Sequence, residues 1–317
     1  MTNGRELVGA RADSVARPHV LVRGGWWQRE SVQGFLWIAP AFLYLAFFIA
    51  YPFLMSIYLS VSSARVGSPD SHFVGLQNYT RLFADPTFWE TVRNSFVFTI
   101  GSELIRLVIG LPLAFALNRS FKGKRVVQGI ILIPFVIPIA LSSLAWKWMF
   151  DSLYSVINWT LVAAGLIDAA NRPQWLGQED LAMIAVAVVH AWRLFPFGVV
   201  IFLAGFTSVP QDVLDAATID GAGFWRRNYQ IILPIIAPII MIALIFGTVF
   251  TFTDLSVVYL LTKGGPINST QVLGSLAFQV GILSGDVAHG AAICLFLFPF
   301  LLVAVILLLR SLRRREI

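Results

Sequence analysis

Val209-Pro-Gln-Asp-Val-Leu-Asp-Ala-Ala-Thr-Ile-Asp-Gly-Ala-Gly-Phe-Trp-Arg-Arg227, closed by Ile232-Leu-Pro234, is a polar island between two long apolar stretches, Leu181–Thr207 and Ile235–Leu261. Pro210 and Gln211 precede a short helix. Asp212 falls in its first turn, where a carboxylate suits the positive end of the helix dipole. Ala216 and Ala217 give that helix a thin face that another surface can approach closely. Asp220-Gly221 then breaks it: glycine supplies the backbone freedom for a sharp turn, and Asp220 is positioned to cap the next helix. The expected product is a compact helix–turn–helix knob outside the bilayer. The blander alternative is an amphipathic loop helix lying on the membrane surface.

The flanking stretches set the fold class. Hydrophobic residues make up 57% of the 317 residues and charged residues 13%, about half the charged share of a soluble domain. Mean hydropathy is +0.77. Such a chain has too little polar surface to coat a water-soluble globule, so the bilayer is its solvent. A hydrocarbon core of about 30 Å takes about 20 helical residues. Six stretches qualify: Gly34–Val61, Asn94–Leu117, Val126–Met149, Leu181–Thr207, Ile235–Leu261 and Ala288–Leu309. The predicted fold is all-α, a polytopic membrane protein of six transmembrane helices with a cytosolic helix between the fourth and fifth. Leu153–Ile167 is apolar but short and contains Asn158, and is read as an interfacial or re-entrant helix.

Net charge is +6, but the basic residues sit in short segments between apolar runs. They therefore read as topology and not as a nucleic-acid surface. With six spans, one side collects Arg5, Arg11, Arg17, Arg23 and Arg29, then Arg119, Lys122, Lys124 and Arg125, then Arg226 and Arg227, then Arg310, Arg313, Arg314 and Arg315. The other side holds Arg65, Arg81, Arg172 and Lys263. Positive-inside bias places both termini in the cytosol. Residues 1–33 are polar and aperiodic, and are read as a flexible cytosolic tail ahead of a permease domain over 34–317. They lack a cleavable-signal pattern. Trp26, Trp27 and Trp37 mark the inner end of the first span; Trp146 and Trp148 mark the outer end of the third. Cys294 is the single cysteine, so no disulfide forms within the chain.

Charges inside apolar spans are functional candidates that need partners. His190 and Arg193 lie on one face of the fourth span, and Pro196 follows. Asp254 falls in the outer half of the fifth, with Trp192, Phe252 and Tyr259 nearby in sequence. Aromatic faces beside hydrogen-bonding groups suit a sugar, so these six form the candidate pathway. A structural Arg193–Asp254 pair across helices is the alternative, and the two are compatible. Glu103 and Arg106 read as an intrahelical pair that lets both charges enter the bilayer, with substrate contact as the alternative.

The quoted loop resembles the "EAA" loop of ABC importer permeases, matching at Asp215, Ala216, Ala217, Gly221, Leu233 and Pro234, with Asp220 and Ala222 inside the same turn. Asp215 replaces the usual glutamate, keeping the charge and shortening its reach. Phe252-Thr-Asp254 through Tyr259, Thr262 and Gly264-Gly265-Pro266 is similar to a segment of carbohydrate permeases related to the maltose importer. Tyr51-Pro52 and Phe73-Val-Gly75-Leu-Gln-Asn78-Tyr79 are similar to that family too. The resemblance implies a non-catalytic permease of a bacterial or archaeal inner membrane, in contact with lipid. It also implies a homologous second permease, two ATP-binding subunits, an external solute-binding protein and a sugar cargo. A polyol or glycerol phosphate is the alternative cargo. The chain has no G-x-x-x-x-G-K-[ST] phosphate loop, so ATP and magnesium would belong to the partner ATPase and no cofactor to this chain. A secondary transporter would show two related halves, and a membrane enzyme would cluster its acids and histidines. Here the four histidines, His19, His72, His190 and His289, are scattered.

Overall fold

The structure is a computed structural model that describes residues 30–68 and 70–313. The proposed tail, with Trp26, Trp27 and its arginines, lies outside the described residues for almost all its length, as do Arg314 and Arg315. The chain divides into two units, residues 1–53 and 54–317.

In the first unit the described residues are helical from Glu30, with a π-helical turn at Ala46–Ala50. Their apolar side chains are largely exposed, as suits residues whose solvent is lipid. Phe47 stacks on Tyr51 one turn later, with ring centroids 6.2 Å apart. The helix Val32–Ser60, α1, is long and apolar enough to cross a membrane.

The second unit holds the rest: α2 (Gln77–Ala84), α3 (Pro86–Asn118), α4 (Lys124–Val136), α5 (Ile139–Met149), α6 (Val156–Ala163), α7 (Glu179–Thr207), α8 (Gln211–Ile219), α9 (Phe224–Thr253), α10 (Ser256–Leu261), α11 (Leu273–Leu283) and α12 (Val287–Arg313). Of these, α3, α7, α9 and α12 pass the length and hydropathy requirements for a span. The third predicted span is a bent pair, α4 and α5, turning by 93°; counted as one crossing, it brings the total to six. The break falls at Ile137-Pro138, where Ile137 is extended, because proline clashes with a helical residue before it.

A further expectation changes. The fifth span ends at Thr253, and Asp254 adopts an extended conformation as its C-cap, so the apolar run Ile235–Leu261 is two helices. Residues 262–272 form a partly buried knot in which Thr262 and Thr270 hydroxyls bond at 2.7 Å and Asn94 donates to the Asn268 carbonyl at 3.0 Å. The knot leads into α11. The stretch Leu153–Ile167 yields only the eight-residue α6, too short to span.

The long helices α3 and α7 pack along each other, with α9 against both. Their apolar faces form two clusters. One joins Phe98, Val186 and Val189 to Val257 and Val258. The other joins Ala114, Val199 and Phe202 to Ile232 and Ile236. A third lies where Phe88, Leu273 and Ile293 meet.

Candidate functional site

The polar island folds as a closed knob. Pro210 is the N-cap of α8 and Asp212 sits in its first turn. Gln211 Nε2 donates to Asp215 Oδ1 at 2.9 Å, one turn on. Ala217 is buried while Asp215 and Ala216 are exposed, so the acid and one alanine face outward. The helix ends in a Schellman turn: the N–H of Ala222 donates to the Ala217 carbonyl at 2.9 Å and that of Gly221 to Thr218 at 3.1 Å. Gly221 takes the left-handed position this turn requires, φ +69°. Among the described residues no atom lies within 4 Å of where its Cβ would be, so the space beside it is open. Asp220 is the C-cap of α8, not the cap of the following helix; Gly223 holds that position. The turn consumes Asp220's backbone before the next helix begins. Leu233-Pro234 follows a π-helical stretch, Arg227–Ile232. Proline cannot donate to the ladder, and the wider turn ahead of it accommodates the missing bond.

The charged residues of the spans are joined in one chain. Arg106 Nη2 donates to Glu103 Oε2 on its own helix and to the Ala243 carbonyl of α9 at 3.0 Å. The Thr251 hydroxyl donates to Glu103 Oε1 at 3.1 Å and lies 3.0 Å from His190 Nε2. His190 Nδ1 is 3.3 Å from Asp254 Oδ2, and Arg193 Nη1 donates to the same oxygen at 3.3 Å. Which of His190 Nε2 and the Thr251 hydroxyl donates to the other depends on the histidine tautomer. Asp254 Oδ1 additionally accepts the Ser256 N–H, tying the start of α10 to the chain.

Exposure grades along it. The Arg106 side chain is 2% exposed and that of Arg193 is 28% exposed. The Asp254–Arg193 end therefore meets the surroundings, while the Glu103–Arg106 end is sealed. Room for Arg106 comes from two glycines. A Cβ on Gly198 would touch its Cγ at 3.4 Å, and one on Gly247 would collide with the guanidinium.

Of the six predicted pathway residues, His190, Arg193 and Asp254 come together. Both charge pairs read from the sequence, Glu103–Arg106 and Arg193–Asp254, form. Phe252 is turned away: it is buried against Phe96 and Phe300. Trp192 packs edge-on against Trp146, and Tyr259 against Phe278. Thr251 and Gly247 were missed. They follow Ala243 at helical spacing, so Ala243, Gly247 and Thr251 make one stripe of small residues down an apolar helix, leading toward its extended C-cap Asp254.

A family described as "Binding-protein-dependent transport system inner membrane component" matches residues 106–316. A trehalose/maltose transport system permease protein of Thermococcus litoralis is 33% identical over 288 residues, 91% of this chain and 96% of that one. A sulfoquinovosyl glycerol transport system permease protein of Agrobacterium fabrum is 32% identical over 284 residues, 89% of this chain and 90% of that one. Among solved structures, a chain of a bacterial ABC transporter involved in import of alginate superposes with a TM-score of 0.74 at 21% identity, covering 89% of this chain and 96% of that one. At that identity the likeness is one of fold.

Proposed function

This chain belongs to the binding-protein-dependent transport system inner membrane components, and on that footing we propose that it is one permease subunit of an ATP-driven importer that passes a sugar from an external solute-binding protein to the cytosol. The observation that carries this reading is the knob at Gln211–Ala222. Its outward-facing Asp215 and Ala216, and the open space at Gly221, offer a rigid docking surface to a separate ATP-hydrolysing subunit. The Schellman closure suits force transmission, because a knob with satisfied carbonyls moves as a body. Through Leu214 and Val209 it rests on the cluster shared by α3, α7 and α9, so tilting it would move those helices.

On this reading both termini are cytosolic, 1–33 is a tail, and 34–317 is the permease domain, paired with a homologous second permease. ATP and magnesium are held by the two partner ATPase chains. The pathway side of this subunit is the Arg193–Asp254 end of the charge chain: a guanidinium that donates and a carboxylate that accepts hydroxyl hydrogen bonds. Sugar is chosen because two relatives are named for sugar-containing cargo. A polyol or glycerol phosphate is the second cargo class. The relative named for sulfoquinovosyl glycerol favours keeping it, since that cargo joins glycerol to a sugar. The test is uptake in vesicles carrying the full complex. ATP inside is expected to energise accumulation after proton and sodium gradients are collapsed. Uptake that follows an ion gradient without ATP would overturn the reading in favour of a secondary transporter.

A further inference from the structure

Beside the knob, an apolar cleft meets one of mixed lining. The first, about 280 Å³, is lined by Phe115, Phe206, Phe224, Trp225, Tyr229 and Leu233. The other, about 160 Å³, includes Asn118, Arg119, Gln211, Asp215 and Arg227 in its lining. Phe115 and Asn228 line both, so the clefts share a wall. The Arg119 guanidinium stands at this junction, 5.4 Å from the Phe115 ring centroid and 5.5 Å from that of Phe224.

Asn228 is 7% exposed. Its Nδ2 donates to the Phe224 carbonyl at 2.7 Å, which fixes the amide and leaves Oδ1 as an acceptor. That oxygen is buried without a partner, as is the Arg227 Nε donor. An orphaned buried acceptor is costly, so a ligand with a donor is favoured there. The titratable groups lining this mixed cleft are Arg119, Arg227 and Asp215, with a balance of one positive charge. Lys122, Lys124, Arg125 and Arg226 belong to the same basic end of the spans.

We propose that this pair of clefts binds one anionic phosphoglycerolipid. An acyl chain lies in the aromatic cleft, the phosphate is held by Arg119 and Arg227, and a headgroup hydroxyl donates to Asn228 Oδ1. The inference rests on the cytosolic orientation of the knob proposed above, which puts the clefts at the inner leaflet, where anionic lipid and basic residues meet. A free phosphate would use the arginines and leave the aromatic cleft empty. A zwitterionic choline headgroup has no donor for Asn228. Because Gln211 and Asp215 belong to α8 and Asn118 and Arg119 to the end of α3, the lipid would bridge the knob to the bundle and make coupling lipid-dependent.

The assembled transporter, with its partner subunits, is placed in nanodiscs of phosphatidylcholine with graded phosphatidylglycerol, and lipid retained after delipidation is counted by native mass spectrometry. Wild type is expected to retain phosphatidylglycerol over phosphatidylcholine. Arg119→Gln and Asn228→Leu are expected to weaken retention about tenfold or more, the factor corresponding to about 1.4 kcal/mol. Arg119→Lys should weaken it less. Trp225→Ala should release the lipid without altering the charge. Subunit assembly of each variant is checked in the same spectra, and Trp225→Ala, at an exposed residue, keeps the test open should Asn228→Leu misfold. Equal retention by wild type and all variants would overturn the proposal. So would displacement by soluble glycerol phosphate, which marks a free-anion site, or loss of retention only when the ATPase subunits are bound, which marks a protein contact. Failure of ATP-driven uptake with lipid retention intact would instead count against the importer reading alone.

Discussion

Gly247→Ala is the substitution that interrogates the buried charge chain most sharply. A methyl group there enters the space now filled by the Arg106 guanidinium. That group is sealed, with its side chain 2% exposed, and its stem is confined by Gly198, so it has little room to retreat. Displacement would cost its bonds to Glu103 and to the Ala243 carbonyl. Hydrogen bonds to charged groups contribute about 1.5–3 kcal/mol each, and breaking a buried pair costs about 3–5 kcal/mol. Against this, alanine gains about 1 kcal/mol over glycine in a helix interior. The loss outweighs the gain, leaving a net destabilisation of about 2 kcal/mol or more. In a Glu103→Leu/Arg106→Leu background there is no guanidinium to displace, and the same change is expected to be neutral or stabilising. Unfolding in graded denaturing detergent, across all four combinations, isolates the coupling. If Gly247→Ala shifts stability equally in both backgrounds, or stabilises both, the sealed geometry of Arg106 is wrong.

Thr251→Val should lower stability by about 1–3 kcal/mol by leaving Glu103 Oε1 and His190 Nε2 without their shared hydroxyl, and Thr251→Ser should restore it; equal unfolding curves for all three would refute the link. Alanine at Arg193 or Asp254 is expected to reduce sugar uptake at least tenfold while pull-down with partner subunits stays normal. Variants that both assemble and transport like wild type would make the pair structural. A tag at residue 317 is expected to be inaccessible from outside intact cells, and labelling there would reverse the topology.

Much of this architecture is legible in the sequence, because a span announces itself by length and hydropathy alone. The ends of α3 and α7 extend beyond the apolar residues, since helices continue into water where hydropathy has already fallen. Breaks inside an apolar run are hidden from hydropathy. At Ile137-Pro138 the dipeptide carried the signal, being the second proline within five residues after Pro134. At Asp254 the signal was weaker: an acid two residues before Ser256, whose N–H it caps. The missed helix α11 is too short for a span. The Glu103–Arg106 pair was readable because both partners lie one turn apart on one helix. The link through Thr251 and His190 depends on how α3, α7 and α9 pack, which spacing within one helix cannot give. Phe252 shows the converse: sequence proximity to Asp254 suggested a shared site, but Phe252 lies in the helix and packs on Phe96 and Phe300, while Asp254 is the extended cap beyond it.

The central claim is that the Gln211–Ala222 knob couples this subunit to ATP hydrolysis elsewhere, and Gly221→Trp tests it most directly. The left-handed backbone at Gly221 costs a non-glycine residue about 1–2 kcal/mol, too little to prevent membrane insertion, and no atom of the described residues lies within 4 Å of where its Cβ would be. The damage therefore falls on whatever docks there. In the reconstituted complex, ATP hydrolysis stimulated by loaded binding protein is expected to be lost and uptake with it, while insertion and pairing with the second permease persist. Normal uptake together with normal stimulated hydrolysis in Gly221→Trp would contradict the docking role of the knob.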